Sequence, residues 1–150
     1  MRILTIDNKK DKKFLRNKTK PFDFQAYSKD DLRDLLNEMR KTMEEANGVG
    51  LSANQVGIDA SFFVAEFAGK FYTIFNPEIV KISKETNMFE EGCLSIPENY
   101  ADVPRASEIT IKGLDKNEKR VKMRVWGHLA RIFQHETDHL NGKLFTDYIK

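Results

Sequence analysis

Two histidines near the carboxyl end constrain this sequence more than any other feature. His135 and His139 are four residues apart, just over one helical turn, so both imidazoles would leave the same helix face and could bind one metal ion. Glu136 follows the first histidine, as the general base does in metallohydrolases with the H-E-x-x-H spacing. The apolar residues around the pair recur at helical spacing, and they are Leu129, Ile132, Phe133 and Leu140. We therefore predict a helix that carries both histidines and ends at Asn141.

Two histidines do not complete a catalytic metal site, which usually has three protein ligands and one position for water. Asp147 is the sole acidic residue after the motif. Cys93 is the only cysteine, so it forms no internal disulfide, and its thiolate would be a strong ligand for zinc or ferrous iron. The residues alone leave the choice between Asp147 and Cys93 open.

The rest of the chain predicts one α+β domain over residues 1–150. Ser28 caps a helix that runs to Asn47, with an apolar stripe of leucines and methionines on one face. Alternating or aromatic-rich segments predict strands at residues 62–67, 71–76, 79–83, 109–114 and 120–125. Because helix, strands and helix follow in that order, we expect antiparallel β-sheets packed around a central metal-binding helix.

Charge and hydropathy exclude several classes of protein. The formal net charge of +2 does not by itself favour nucleic acid or a membrane surface as a partner. No apolar run approaches the roughly 20 residues that cross a bilayer, and residues 1–7 turn polar too soon for us to expect a secretory signal there. We expect a cytoplasmic protein with no membrane or DNA partner. The basic run at residues 9–20 fits a solvated surface segment.

Three segments together resemble the signature motifs of peptide deformylases. Residues 48–55 resemble the pattern G-x-G-L-A-A-x-Q, residues 91–95 match E-G-C-L-S, and residues 134–139 match Q-H-E-x-D-H. By itself the first segment reads as a turn after the helix, and no Lys-Ser/Thr pair follows its glycines as in a phosphate-binding loop. The resemblance extends over nearly the whole chain. It implies the peptide deformylase fold and a metal-dependent hydrolase that removes the formyl group from formyl-methionine of nascent polypeptides and releases formate.

The resemblance also implies the metal ligands and the ion. Cys93, His135 and His139 would hold one divalent ion. That ion would be Fe²⁺ in the cell, and Zn²⁺, Ni²⁺ or Co²⁺ would suit the same donors in a purified protein. An iron site with a thiolate ligand should be sensitive to oxygen.

Further roles follow from the same resemblance. Glu136 would take a proton from the attacking water and pass it to the leaving amine. The Gln55 amide and the Leu94 backbone N–H would stabilise negative charge on the formyl oxygen. Glu91 and Arg105 would pair and hold the loop that presents the metal ligand. The candidate substrate-binding residues are Val49, Gly50, Leu51, Phe89, Gly92 and Ile132.

The sequence departs from the family pattern at two points. Ser52 stands where the family usually has alanine, and its small size should be tolerated. The sequence ends at Lys150, where many bacterial members continue into a helix associated with ribosome contact. The basic run at residues 9–20 is therefore the candidate for a weak contact with ribosomal RNA. His128 is expected to line the outer wall of the methionine pocket or to pack near the helix start.

Two other functions remain alternatives at this point. A metalloprotease would take Asp147 or a glutamate as its third ligand, and Cys93 would be dispensable. A binding module with a structural metal would need four protein ligands. In that case Glu136 would have no purpose.

Overall fold

The computed structural model describes residues 1–149, which form three α-helices, seven β-strands and three short 3₁₀ turns. The helices are α1 (Lys9–Leu15), α2 (Lys29–Glu45) and α3 (Gly127–Leu140). The strands are β1 (Gly50–Ser52), β2 (Phe62–Phe67), β3 (Lys70–Ile82), β4 (Thr86–Cys93), β5 (Ile96–Ala106), β6 (Glu108–Leu114) and β7 (Arg120–Trp126). Within residues 1–149, no helix combines the length and apolar character needed to cross a membrane.

Five strands form an antiparallel sheet in the order β1-β2-β3-β6-β7, and β4 pairs with β5 in a second antiparallel sheet. Alternate residues of β2 point to opposite faces of the larger sheet. Phe63 packs against Phe133 of α3 on one face, whereas Phe62 packs with Met39 and Met43 of α2 on the other. This arrangement confirms the predicted α+β class, with antiparallel sheets around the helix that carries the histidines.

α2 begins and ends close to the predicted bounds. The Ser28 side chain accepts a hydrogen bond from the Asp31 N–H at 3.0 Å, which satisfies one of the free donors of the first turn. Asp30 and Asp31 place negative charge at the positive end of the helix dipole. The helix ends at Glu45, and Asn47 then adopts a positive φ of 58°.

The predicted strand at residues 79–83 is not a separate element. β3 runs continuously from Lys70 to Ile82, and its pairing with β6 shifts register between Phe75 and Glu78. Pro77 lies in this interval. Because proline cannot donate a ladder hydrogen bond, it is tolerated in a strand at such a bulge.

Part of the basic run is helical, although its sequence pattern did not predict a helix. The Asn8 side chain accepts hydrogen bonds from the N–H groups of Lys10 and Asp11 and so caps α1. The Asp11 carboxylate is buried and accepts two hydrogen bonds from Arg2, at 2.7 and 2.9 Å. The lysines of the run remain exposed, as expected of a solvated segment.

The small sheet brings the cysteine to α3. β4 ends at Cys93, and β5 begins three residues later, so Leu94 and Ser95 form a two-residue turn. Ile96 and Val103 of β5 are buried against Leu144 and Phe145, which follow α3. The hairpin is therefore packed beside the carboxyl end of the helix, with the Cys93 side chain facing it.

Candidate metal centre

Three potential metal donors converge where α3 meets the end of β4. The Cys93 Sγ lies 3.1 Å from Nε2 of His139, and the Nε2 atoms of His139 and His135 lie 3.2 Å apart. All three donor atoms lie within 4.8 Å of one another. The two histidines share one helix face, as their spacing predicts.

The chemistry and spacing of these donors fit a divalent metal ion. Donors bound at about 2.0–2.3 Å in a tetrahedral site are separated by roughly 3.3–3.8 Å, so the distances of 3.1 and 3.2 Å from His139 need to lengthen only slightly. One thiolate and two imidazoles suit zinc or ferrous iron. Burial, with the neighbouring His135, holds the pKa of His139 well below its usual range, so this ring is neutral as a ligand must be.

His135 is held by hydrogen bonds at both ring nitrogens. Burial lowers its pKa, but the hydrogen bonds with Cys93 and Glu91 outweigh burial and raise it to about 10. A cation at the three donors would compete with this proton, because metal binding requires a free nitrogen lone pair. The Nδ1 atom lies 2.8 Å from the Glu91 carboxylate, which leaves Nε2 directed at the donor cluster.

Glu136 lies next to the cluster with its carboxyl group buried. Its Oε1 has no hydrogen-bond partner within residues 1–149, although the side chain is only 4% exposed. Burial raises the pKa of Glu136 to about 7. The carboxyl group borders the cleft beside Gly50, so it is available to a water or substrate there.

Gln55 is oriented from both ends of its amide. Nε2 donates to the Ser95 Oγ at 3.0 Å and lies 3.6 Å from the Cys93 Sγ. Oε1 accepts from the Ser52 backbone N–H at 3.0 Å. The donor end of the amide therefore faces the cluster. Leu94, in the turn after Cys93, lines the same cleft.

Ser52 hydrogen-bonds with Gln55 and Asn54. It was expected only to be small enough to fit at this position. The residue is fully buried, and its hydroxyl lies 2.7 Å from the Asn54 Oδ1. Asn54 in turn donates from Nδ2 to the carbonyl of His139 at 2.7 Å. The hydroxyl thus contributes to a buried contact between β1 and the end of α3.

Glu91 and Arg105 form a buried ion pair. The arginine donates from Nε to Oε2 at 2.9 Å and from Nη2 to Oε1 at 3.0 Å. Burial raises the pKa of Glu91, but the hydrogen bonds from His135 and Arg105 outweigh burial and bring it to about 2. The carboxylate is therefore charged while it accepts from His135.

Three further members of the polar cluster around Glu91 and Arg105 were not predicted from the sequence, and they are Arg131, Asp138 and Tyr148. Arg131 donates to Glu91 at 2.5 Å, and Arg105 also donates to Asp138 at 2.6 Å. Tyr148 donates to the same Asp138 oxygen at 2.6 Å. For Arg131 the sequence did contain a signal, because it precedes His135 by one helical turn and so lies on the same helix face.

A cleft of about 480 Å³ opens onto two of the donor residues, Cys93 and His135. Four of the six candidate substrate-binding residues line it, and they are Val49, Gly50, Gly92 and Ile132. The other two side chains lie elsewhere. Leu51 is fully buried in the core against α2. Phe89 is 56% exposed and packs edge-on against His128, outside the lining of the cleft.

Two other candidates lie apart from the donors. His128 lines the cleft but is exposed, and its ring packs between Phe67 and Phe89. Asp147, the alternative third ligand, accepts two hydrogen bonds from Arg16 at 2.7 and 2.9 Å. Neither residue belongs to the group of converging donors within residues 1–149.

The similar sequences and the similar solved structures belong to one family. The sequence pattern of the polypeptide deformylase family matches residues 1–150. The peptide deformylase of Thermotoga sp. strain RQ2 is 41% identical over 138 residues, which cover 90% of this chain and 80% of that protein. The crystal structure of peptide deformylase from Thermotoga maritima is similar with a TM-score of 0.89 and 37% identity, covering 99% of this chain and 97% of that one. A peptide deformylase structure from Legionella pneumophila has a TM-score of 0.88 and 39% identity, covering 99% and 85%.

Proposed function

This chain belongs to the polypeptide deformylase family, and from that premise we propose that Cys93, His135 and His139 hold its catalytic metal ion. The protein is a metal-dependent hydrolase that removes the N-terminal formyl group from nascent peptides. The observation that carries the ligand assignment is the convergence of three donor atoms within 4.8 Å. In the cell the ion is Fe²⁺, and Zn²⁺, Ni²⁺ or Co²⁺ can replace it in a purified protein.

Glu136 carries the proton in this proposal. When bound, the ion supplies Lewis-acid chemistry that polarises a carbonyl group and makes water more acidic. Glu136 accepts the proton of the attacking water and returns it to the leaving amine. Its unpaired Oε1 supports this role, because no hydrogen bond within residues 1–149 competes for the lone pair. The products are formate and a free amino terminus.

Gln55 and Leu94 stabilise the charge that develops on the formyl oxygen. The Gln55 amide is already oriented by Ser52 and Ser95, so it pays little reorganisation energy in the transition state. The Leu94 N–H belongs to the tight turn that follows Cys93. Fixed donors of this kind are typically worth 10²–10³-fold in rate.

The peptide binds as an added strand along β1. This strand is the edge of the five-stranded sheet, and Val49 and Gly50 line the cleft beside it. Backbone pairing at Gly50 and Leu51 is independent of side chains, which suits an enzyme that acts on many nascent chains. Val49, Gly92 and Ile132 border the pocket for the methionine side chain, whereas Phe89 lies outside the lining and acts only through its contact with His128.

Substitution of the proposed ligands tests this assignment. Cys93→Ala and His139→Ala should each remove stoichiometric metal and formate release from a folded protein, because two donors rarely hold an ion tightly. Asp147→Ala is the matched control and should retain both the metal and formate release. A Cys93→Ala protein that keeps its metal and cleaves ordinary peptides as well as wild type does would instead support a metalloprotease.

We also propose that α1 contacts ribosomal RNA weakly. Four lysines of the helix are exposed, and they are Lys9, Lys10, Lys12 and Lys13. Asp11 is the only acidic residue of the helix, and it is buried against Arg2. The exposed face is therefore uniformly positive, and counterion release should make its binding to a polyanion strongly dependent on salt.

Ribosome co-sedimentation over a range of salt concentrations tests the role of α1. Changing the four lysines to glutamine should weaken binding and flatten its salt dependence. The control changes four exposed lysines elsewhere, namely Lys81, Lys112, Lys119 and Lys122. Equal loss in both variants would show that only net charge matters.

In this proposal the chain works as one catalytic domain in the cytoplasm, where formylated chains are made.

A further inference from the structure

Arg131 links the two parts of the fold that carry the proposed metal ligands. Its side chain is only 4% exposed. Nη1 donates to Glu91 Oε2 at 2.5 Å and to the Val103 carbonyl at 2.8 Å. Nη2 donates to the Asn87 carbonyl at 2.9 Å and to its side-chain Oδ1 at 2.6 Å. One guanidinium from α3 therefore binds both β4 and β5.

Arg131 lies on the same face of α3 as the two histidine ligands proposed above. Arg131, His135 and His139 follow one another at intervals of four residues, so they share one helix face. That face packs against the hairpin that presents Cys93. A planar fork with several donors fixes distance and orientation together, which a flexible ammonium does not.

Arg131 also acts on the carboxylate that orients His135. Glu91 accepts from His135 through Oε1 and from Arg131 through Oε2, and Arg105 donates to both oxygens. If Arg131 were absent, Oε2 of Glu91 would lose the shorter of its two hydrogen bonds and keep only the one from Arg105. The carboxylate could then rotate, and the bond that directs the His135 ring would weaken.

We propose that Arg131 is a positioning residue that sets the geometry of the metal site by holding Glu91 and the hairpin against α3. This role rests on the proposed ligand set and adds a residue to it. Removing the fork should leave the three donors present but less well arranged. Loss of such an outer partner typically weakens metal binding by about 10–100-fold.

A purely structural anchor would behave differently. Arg131 also lies near Phe89, with the guanidinium carbon 5.9 Å from the ring centroid, so its removal would lower the stability of the hairpin in any case. An anchor alone would change the free energy of unfolding without changing the environment of an ion in the folded protein. The test must therefore report on the ion itself.

The experiment uses the intact protein loaded with Co²⁺ under anaerobic conditions. Arg131→Gln should release Co²⁺ to a chelator at least about tenfold faster than wild type. Its visible and thiolate-to-cobalt absorption bands should shift. Arg131→Lys keeps the positive charge but lacks the planar guanidinium. Its rate of Co²⁺ release should therefore lie between those of wild type and Arg131→Gln. Arg124→Gln, which removes an exposed arginine paired with Glu108, is the control and should match wild type.

Asn87→Ala supplies a milder variant, because it removes only the side-chain acceptor of Nη2, which belongs to an exposed residue of β4. It should speed Co²⁺ release by about two- to tenfold, the value of one hydrogen bond. If wild type binds one equivalent of Co²⁺ and His139→Ala does not, the ligand set stands. Unchanged release and spectra in folded Arg131→Gln and in Asn87→Ala would then overturn this role alone. Absence of Co²⁺ binding by wild type would overturn the ligand set and this role with it.

Discussion

Gly50 faces the Glu136 carboxylate so closely that a Cβ atom on the glycine would lie 2.5 Å from Oε2. No real Cβ contact is that short, so any side chain at this position must displace the carboxylate. The displaced group is the end of a flexible side chain, and the fold can therefore tolerate the change. The absence of a side chain at Gly50 thus leaves room for the Glu136 carboxylate, the proposed proton carrier, at the cleft.

Gly50→Ala should fold and bind metal but lose activity. A displacement of the Glu136 carboxylate by about 1 Å should lower kcat on the order of 10–100-fold. Steady-state formate release with metal analysis of the same sample measures this. In the double variant with Glu136→Gln, the alanine should add little further loss, because both changes act on one group. Fully additive losses would place the effect of Gly50 elsewhere.

Glu136→Gln should leave the metal bound and remove most activity. The amide has the shape of the carboxylate but cannot take a proton, and proton transfer of this kind contributes typically 10²–10⁴-fold. Formate release and metal stoichiometry are measured on one preparation. A variant that lost its metal would show that Glu136 is a ligand.

His128→Leu should retain its metal and alter substrate preference only. The ring lies at the rim of the cleft between Phe67 and Phe89, apart from the three donors. We expect KM and the preference among first side chains to change by at most about tenfold. Formyl peptides with different first residues provide the measurement. Loss of stoichiometric metal from the folded variant would contradict the ligand set.

The Asp147–Arg16 pair should stabilise the protein only above acidic pH. Hydrogen bonds from Arg16 hold the pKa of the Asp147 carboxyl below its usual range. A carboxyl with a lowered folded pKa stabilises the native state above its unfolded pKa, and the gain disappears as pH falls through the folded pKa. Since the side chains are 39% and 37% exposed, solvent screening limits the gain to about 1 kcal/mol.

Urea unfolding of Asp147→Asn tests this pH dependence. Near neutral pH its free energy of unfolding should lie below that of wild type, and the difference should shrink below about pH 4. Glu78→Gln, which removes a looser exposed pair with Lys112 at 3.5 Å, should show a smaller difference. A difference for Asp147→Asn that persists undiminished at pH 3 would show that the ion pair is not its cause.

The two long helices could be predicted because their signals are local. Ser28 caps α2 at the start of an apolar stripe, and the spacing of His135 and His139 places both on one face of α3. The third donor was different. The residues alone left Asp147 and Cys93 open, and the resemblance to a family, not spacing, favoured the cysteine.

The hairpin that carries Cys93 had no clear local signal. Most residues of β4 are exposed, so the alternation that marks a half-buried strand is absent. The same is true of the polar cluster, because Arg131 meets Glu91, forty residues away, only after α3 packs beside the hairpin. Contacts between segments distant in sequence do not appear in local patterns.

The most direct test is formate release from a formyl-methionyl peptide by protein purified anaerobically, with metal analysis of the same sample. We expect one equivalent of a divalent metal, with iron predominant, and formate release that stops when a chelator removes the ion and returns when Fe²⁺ or Co²⁺ is restored. Formate release at full rate by metal-free protein would contradict the account, as would a fully metallated protein that cleaves ordinary peptides and leaves the formyl group intact.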